Sequence, residues 1–430
     1  MSAQESFSDR VPPEGQIVDR AALQASIDRA GARERCGFRR DVRFFDFEAN
    51  GKPFTQAAIL FVPEKPLRVD GRRVVLIASE GGSDNGRAFV RDNEGRDGIG
   101  PWLASRGVTF MTLCRIGRWN FLSDEELGSW RDVPLGARMP VFWRGQKQHW
   151  SPDTFDTIGA EGVSSPTGST ACRVPRKGSA LEAHMLALTP DASMQGFEAA
   201  LRNTPELGDA SDRLLLYWGF STGGCYLWAL ARRVAPDGLL GYGTTSLPVA
   251  YFASRAVTDD FKWLYDPSAF RVRERGANDF AFFNAGLPAQ ERDRLWQEVL
   301  HAPRFKSHED TLMFFNVAAL SETIARLWNA DFLPDDVRCR GFADLLKTNL
   351  DLCFPGEHLR NVSVLELFGA DDEILPPQTA RLAADVMRPY TKRFRQAFLP
   401  GLHHSVAADH AQAFGSVWLD AIEAGWFSKN

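Results

Sequence analysis

The sequence predicts an α/β protein built on a mostly parallel central sheet with helices on both faces. Two observations carry this. Short apolar runs alternate with helix-compatible stretches along most of the chain, the pattern of strands buried on both sides. In addition, the runs are separated by stretches long enough for parallel crossovers, which need only about a dozen residues.

The elements follow in order. Residues 1–40 contain DRAALQASIDRAGARER, an N-terminal helical extension that packs on the main body. From Asp41 to Pro63 the pattern is β, and Asn50-Gly51 splits it into the two arms of a hairpin. Val74 to Ala78 is a buried strand that runs into Glu80-Gly81-Gly82. A helix over Pro101–Arg106 stops at Gly107, and Val108 to Leu113 is the next buried run. Residues 119–178 are rich in Gly, Pro, Ser and Trp and read as an irregular insertion. Alternation resumes with a helix near Ser193–Leu201, the strand Arg213–Trp218, a helix from Gly223 to Arg233 and a strand over Leu239–Val249. The strand Val362–Phe368, a helix near Gln378–Met387, the strand Arg393–Leu399 and a last helix over Ala407–Ala424 close the chain. Between Val249 and Val362 the gap is far longer than a crossover and is helical and aromatic. It reads as a cap subdomain, 250–360, inserted into a core made of 41–249 and 361–430.

Composition narrows the function classes. Of 430 residues, 44% are hydrophobic and 24% charged, which is ordinary for a globular chain. A formal net charge of -5 supplies no basic field for nucleic acid or anionic lipid. The first residues, MSAQESFSDRVPPEGQ, lack the basic and apolar regions of a signal peptide. No run has the roughly 18 apolar residues of a membrane span. Six cysteines at long intervals form no CxxC pair and no zinc-like cluster with histidine, so free thiols in the cytoplasm and no structural metal are expected. The Gly-rich segments match neither a P-loop nor a dinucleotide fingerprint, and no cofactor is implied. Glu366, inside a strand run, reads as a member of a strand-end ion pair, with a buried acid as the alternative.

One motif carries chemistry. Gly219-Phe220-Ser221-Thr222-Gly223, followed by Gly224, lies directly between the apolar run LLLYW and the helical stretch CYLWALARR. Strand, sharp turn and helix are the setting of a nucleophile elbow, in which serine sits on a strained backbone. A serine hydroxyl needs a base, and the base an orienting acid. Past the strand Val362–Phe368 comes Gly369-Ala370-Asp371-Asp372-Glu373-Ile374-Leu375-Pro376. Past Arg393–Leu399 comes Pro400-Gly401-Leu402-His403-His404-Ser405. Both segments fall at the carboxyl ends of core strands, where sites of open α/β sheets collect.

With these three segments in the order Ser, Asp, His, the chain resembles the α/β-hydrolase superfamily over roughly residues 40–118 and 190–430. The resemblance implies Ser221 as nucleophile, Asp372 as acid and His404 as base. Asp371, Glu373 and His403 are neighbours that could take the last two roles. It also implies an oxyanion hole made by the N–H of Thr222 and that of Gly81 or Gly82. At this place the family commonly has His-Gly, whereas this chain has Glu80. The implied activity is that of a serine hydrolase acting on a carboxylic ester or lactone of a mid-sized, largely apolar small molecule. Alternatives are an acyltransferase of the same fold, a carbon–carbon bond hydrolase, or a ligand-binding module without catalysis. Of the aromatic residues of the cap, which include Phe252, Trp263 and Phe315, more than half are expected to form the cap's own core and some to line an apolar cavity, with no residue singled out for substrate binding.

Overall fold

The computed structural model describes residues 10–80, 89–92, 95–114, 187, 190–221, 223–244, 284, 286–300, 356–405 and 407–428, and the strands 155–158 and 172–175. Among the described residues, nine strands form the main sheet. It begins with the hairpin of β1 (Phe38–Ala49) and β2 (Lys52–Pro63). Asn50 and Gly51 both take positive φ, 50° and 68°, and Ala49 pairs with Lys52 across the two-residue turn. That is why Asn-Gly stands there: both positions need the left-handed region.

The two-residue β3 (Arg68–Val69) leads into β4 (Arg72–Ser79), and β5 (Thr109–Cys114) follows. After them come β8 (Arg213–Ser221), β9 (Gly238–Thr244), β10 (Ser363–Gly369) and β11 (Arg393–Leu399). Their order across the sheet is β1-β2-β5-β4-β8-β9-β10-β11, with β3 on β4. Strands β5, β4, β8, β9, β10 and β11 run parallel, and β2 is antiparallel to both of its neighbours. A separate antiparallel pair, β6 (Phe155–Ile158) with β7 (Cys172–Pro175), falls inside the stretch that reads as an irregular insertion.

Helices cover the sheet on two sides, as the alternation within the strands requires. On one face, Val74, Leu76 and Ala78 of β4 share a core with Trp218, Leu367 and Leu399. Helices α1 (Arg20–Gly31), α2 (Ile99–Ala104) and α7 (Ala408–Glu423) complete that layer, contributing Leu23, Leu103 and Trp418. On the other, Val75 and Ile77 join Tyr217 and residues of α3 (Pro190–Arg202) and α4 (Gly223–Leu230), including Phe197 and Leu227. Met387, the last residue of α6 (Pro377–Met387), belongs to this second layer. Helix α5 (Ala289–Leu300) lies in the 250–360 region, most of which is outside the described residues, as are the cap aromatics named above.

The first forty residues do more than form a helix. Gln16 to Val18 runs alongside β11: Val18 N–H donates to Phe398 O (2.8 Å) and Phe398 N–H to Gln16 O (3.0 Å). The open edge of the sheet is thereby covered. Helix α1 then packs on α7, where the buried Asp420 carboxylate accepts from Ser26 Oγ (2.5 Å) and from Arg29 Nη2 (2.5 Å). Glu366 lies in the middle of β10, not at its end. It is buried and accepts from Gln396 Nε2 of the adjacent strand at 3.3 Å. Cys36 and Cys114 are free thiols. No helix among the described residues is long and apolar enough to cross a membrane.

Candidate active site

Three parallel strands deliver three side chains to one edge of the sheet. Ser221 ends β8 with φ +50°, the left-handed region that serine seldom adopts. The pairing of β8 with β9 slips at Phe220/Ser221, so the strand turns out of register where the helix must start. Two glycines make the turn possible. A Cβ on Gly219 would lie 2.2 Å from Gly224 N, and one on Gly223 would lie 2.4 Å from the carbonyl oxygens of Ser79 and Glu80. Helix α4 therefore starts directly against the strand behind it and against the carboxyl end of β4. Thr222, Gly81 and Gly82, the expected oxyanion donors, lie outside the described residues. Their neighbours Gly223 and Glu80 are in backbone contact.

The acid and base loops are joined to each other before any side chain is considered. Gly369 and Leu399 are aligned at the ends of β10 and β11. Ala370 N–H donates to Leu399 O (2.8 Å) and Asp371 N–H to Leu402 O (3.1 Å). A Cβ on Gly369 would lie 2.1 Å from Leu402 O, so only glycine permits this approach.

The side chains then separate by role. Asp372 is buried, and its Oδ1 accepts the N–H groups of Ile374 (3.0 Å) and Leu375 (2.8 Å). Its Oδ2 lies 2.9 Å from His404 Nδ1. A carboxylate only accepts, so in the neutral imidazole Nδ1 carries the proton and Nε2 is the unprotonated, basic ring nitrogen. The imidazole lies against the ring of Phe220, with centroids 4.9 Å apart, and Ser221 is the next residue of the chain.

The neighbouring candidates are placed otherwise. Asp371 is exposed and offers its carbonyl oxygen to His403 Nδ1 at 3.1 Å. His403 has a side chain 38% exposed. Glu373 is buried and accepts the backbone N–H of His404 at 3.2 Å. Sequence reading did not find this second anchor of the base loop. Nor did it find His410 of α7, whose Nε2 accepts the His403 N–H at 3.0 Å. The start of α7 is fixed as well: Asp92 accepts from Ala408 N–H (3.3 Å) and pairs with Arg96. Among the described residues no cluster of His, Cys, Asp or Glu is arranged to hold a metal ion.

No protein-family model and no curated protein sequence matches the chain. Solved structures to which it is similar include the rice-cell-wall-degrading esterase of Xanthomonas oryzae in a ligand-bound form. That similarity is 12% identity over 96% of this chain and 97% of the other, with a TM-score of 0.39. A lipase in its open form gives 12% identity over 89% and 99%, with a TM-score of 0.40. A Thermus thermophilus protein gives 14% over 90% and 99%, at 0.35. These similarities are too slight to carry an argument. The sheet order, the glycine-framed turn at Ser221, and the hydrogen-bonded Asp372 and His404 just past the ends of the two last strands give the chain an α/β-hydrolase-type fold.

Proposed function

We propose that the chain is a serine hydrolase cleaving a carboxylic ester or lactone of a mid-sized, largely apolar small molecule. The observation that carries the reading is the Asp372–His404 hydrogen bond, held against Phe220 directly before a serine in left-handed conformation.

Ser221 Oγ attacks the carbonyl carbon while His404 Nε2 takes its proton. The hydrogen bond from Nδ1 to Asp372 fixes the tautomer and stabilises the imidazolium that forms. The negative oxygen of the tetrahedral intermediate accepts the N–H groups of Thr222 and of Gly81 or Gly82. Collapse breaks the bond to the leaving alkoxide oxygen, which receives the proton from Nε2, and leaves an acyl group on Ser221. A water molecule then repeats the sequence against the acyl-enzyme with the same base, releasing the acid and restoring Ser221. The cap, residues 250–360, supplies the apolar walls. No cofactor, metal, nucleic acid or membrane takes part. The free thiols of Cys36 and Cys114 agree with a cytoplasmic setting.

A fluorophosphonate probe tests the reading. It is expected to label the wild-type protein and not Ser221→Ala, and a panel of esters, lactones, amides and thioesters is expected to show turnover on the first two classes. Labelling that persists in Ser221→Ala would move the nucleophile elsewhere. Acyl transfer to an added alcohol in preference to water would replace hydrolysis by transfer.

A further inference from the structure

We propose that Asn284 is a positioning residue for Asp372, acting through one peptide group of the acid loop; its effect on catalysis rests on the serine-hydrolase reading. Asn284 is fully buried, yet it comes from the 250–360 region, 90 residues from the loop it touches. Its Nδ2 donates to Ile374 O at 3.2 Å. A carbonyl oxygen can only accept, which assigns the amide orientation and leaves Oδ1 as the acceptor from Thr379 Oγ1 at 2.5 Å. Thr379 is itself buried, in the first turn of α6.

The carbonyl of Ile374 and the N–H of Leu375 belong to the same peptide group. That N–H donates to Asp372 Oδ1 at 2.8 Å. A donor on the carbonyl side polarises the group and strengthens the N–H as a donor on the other. The hydrogen bonds therefore run in one sense: Thr379 hydroxyl to Asn284, Asn284 to the 374–375 peptide, and the peptide to Asp372. The same carboxylate accepts His404 Nδ1–H, with Oδ2 at 2.9 Å and Oδ1 at 3.1 Å. Asn284 fixes where the carboxylate points, from a position 90 residues before the peptide group it holds.

The test compares full-length wild type, Asn284→Ala, Thr379→Val and Thr379→Ser. In protein labelled with ¹⁵N-histidine, the Nδ1–H resonance of His404, assigned by its loss in His404→Ala, is expected in the wild type. It should shift upfield or vanish in Asn284→Ala and Thr379→Val, and return in Thr379→Ser, which keeps the donor. The value of kcat/KM on a responsive ester is expected to fall roughly 10- to 100-fold in the first two variants, mostly in kcat. The acidic limb of its pH profile should move to lower pH, because a carboxylate less firmly aimed stabilises the imidazolium less. If Asn284→Ala does not fold, Thr379→Val reads the same connection. An unchanged resonance and an unmoved acidic limb in the folded variants would overturn the role of Asn284. A wild type that takes no fluorophosphonate, while the resonance still depends on Asn284, would leave the positioning role standing and remove the serine-hydrolase reading.

Discussion

At the scale of single residues, backbone conformation at the elbow is as demanding as the chemistry it supports. Ser221 at φ +50° carries strain of order 1 kcal/mol that glycine would not. Ser221→Gly is therefore expected to be about 1 kcal/mol more stable than Ser221→Ala in chemical denaturation, both being inactive. Equal stability would show that the turn relaxes around alanine. At Gly219 any side chain meets the backbone of Gly224. Gly219→Ala should lose about 3 kcal/mol or more, or fail to fold, since backbone cannot yield as a side chain can. The two histidines should part company as clearly. His404→Ala is expected to lower turnover by several orders of magnitude. His403→Ala, whose ring is partly exposed and meets the Asp371 carbonyl, should change it only a few-fold in a steady-state assay. The reverse ranking would exchange their roles.

At the scale of elements, the regular parts were legible because each is marked by chemistry local to it. Asn50-Gly51, Gly107 and the motif around Ser221 announce their turns within two or three residues, and β4, β5, β10 and β11 follow within one or two positions of their apolar runs. The preference for Asp372 over Asp371 and Glu373 came only from a resemblance; the structure adds that Asp372 is buried, accepts two N–H groups of its loop and lies against His404. Contacts between distant segments were not legible. Glu373 beneath the His404 backbone, His410 beneath His403, and Asn284 behind Ile374 carry no pattern of their own, because each is defined by a partner far along the chain. The β6–β7 pair was equally hidden among Gly, Pro and Ser. One element-scale contact makes a pH prediction. Glu206, in the turn before β8, is bound by Arg43 of β1 through two nitrogens and by Arg39 of the same strand through one. The Arg43 hydrogen bonds hold its carboxyl at about 2, against an ordinary 4.5. A depressed native value stabilises the fold above the unfolded value and loses that contribution as pH falls from 4.5 toward 2. Because the pair sits at the rim, solvent limits the gain to about 1 kcal/mol. Glu206→Gln should be less stable than wild type by that amount at pH 7 and indistinguishable from it near pH 2, as followed by urea denaturation. A difference that persists at pH 2 would assign the loss to packing.

At the scale of the molecule, the two ends of the chain close the same side of the fold. Gln16 to Val18 occupies the edge of β11, and α1 docks on α7 through Asp420. Removal of residues 1–18 should uncover a row of unpaired backbone groups on β11. The shortened protein is then expected to self-associate, as read by light scattering on a sizing column, while a monomer would show that the edge is protected otherwise. The same arrangement ties the sheet edge to the site. Gln396 N–H donates to the Glu14 carboxylate 382 residues away, and the segment around Ile17 pairs with Phe398. Closing a loop of that length makes the seating of this strap a late and slow step of folding. The strand on which it seats is the one that leads into His404, so the sheet edge and the edge carrying His404 are completed together.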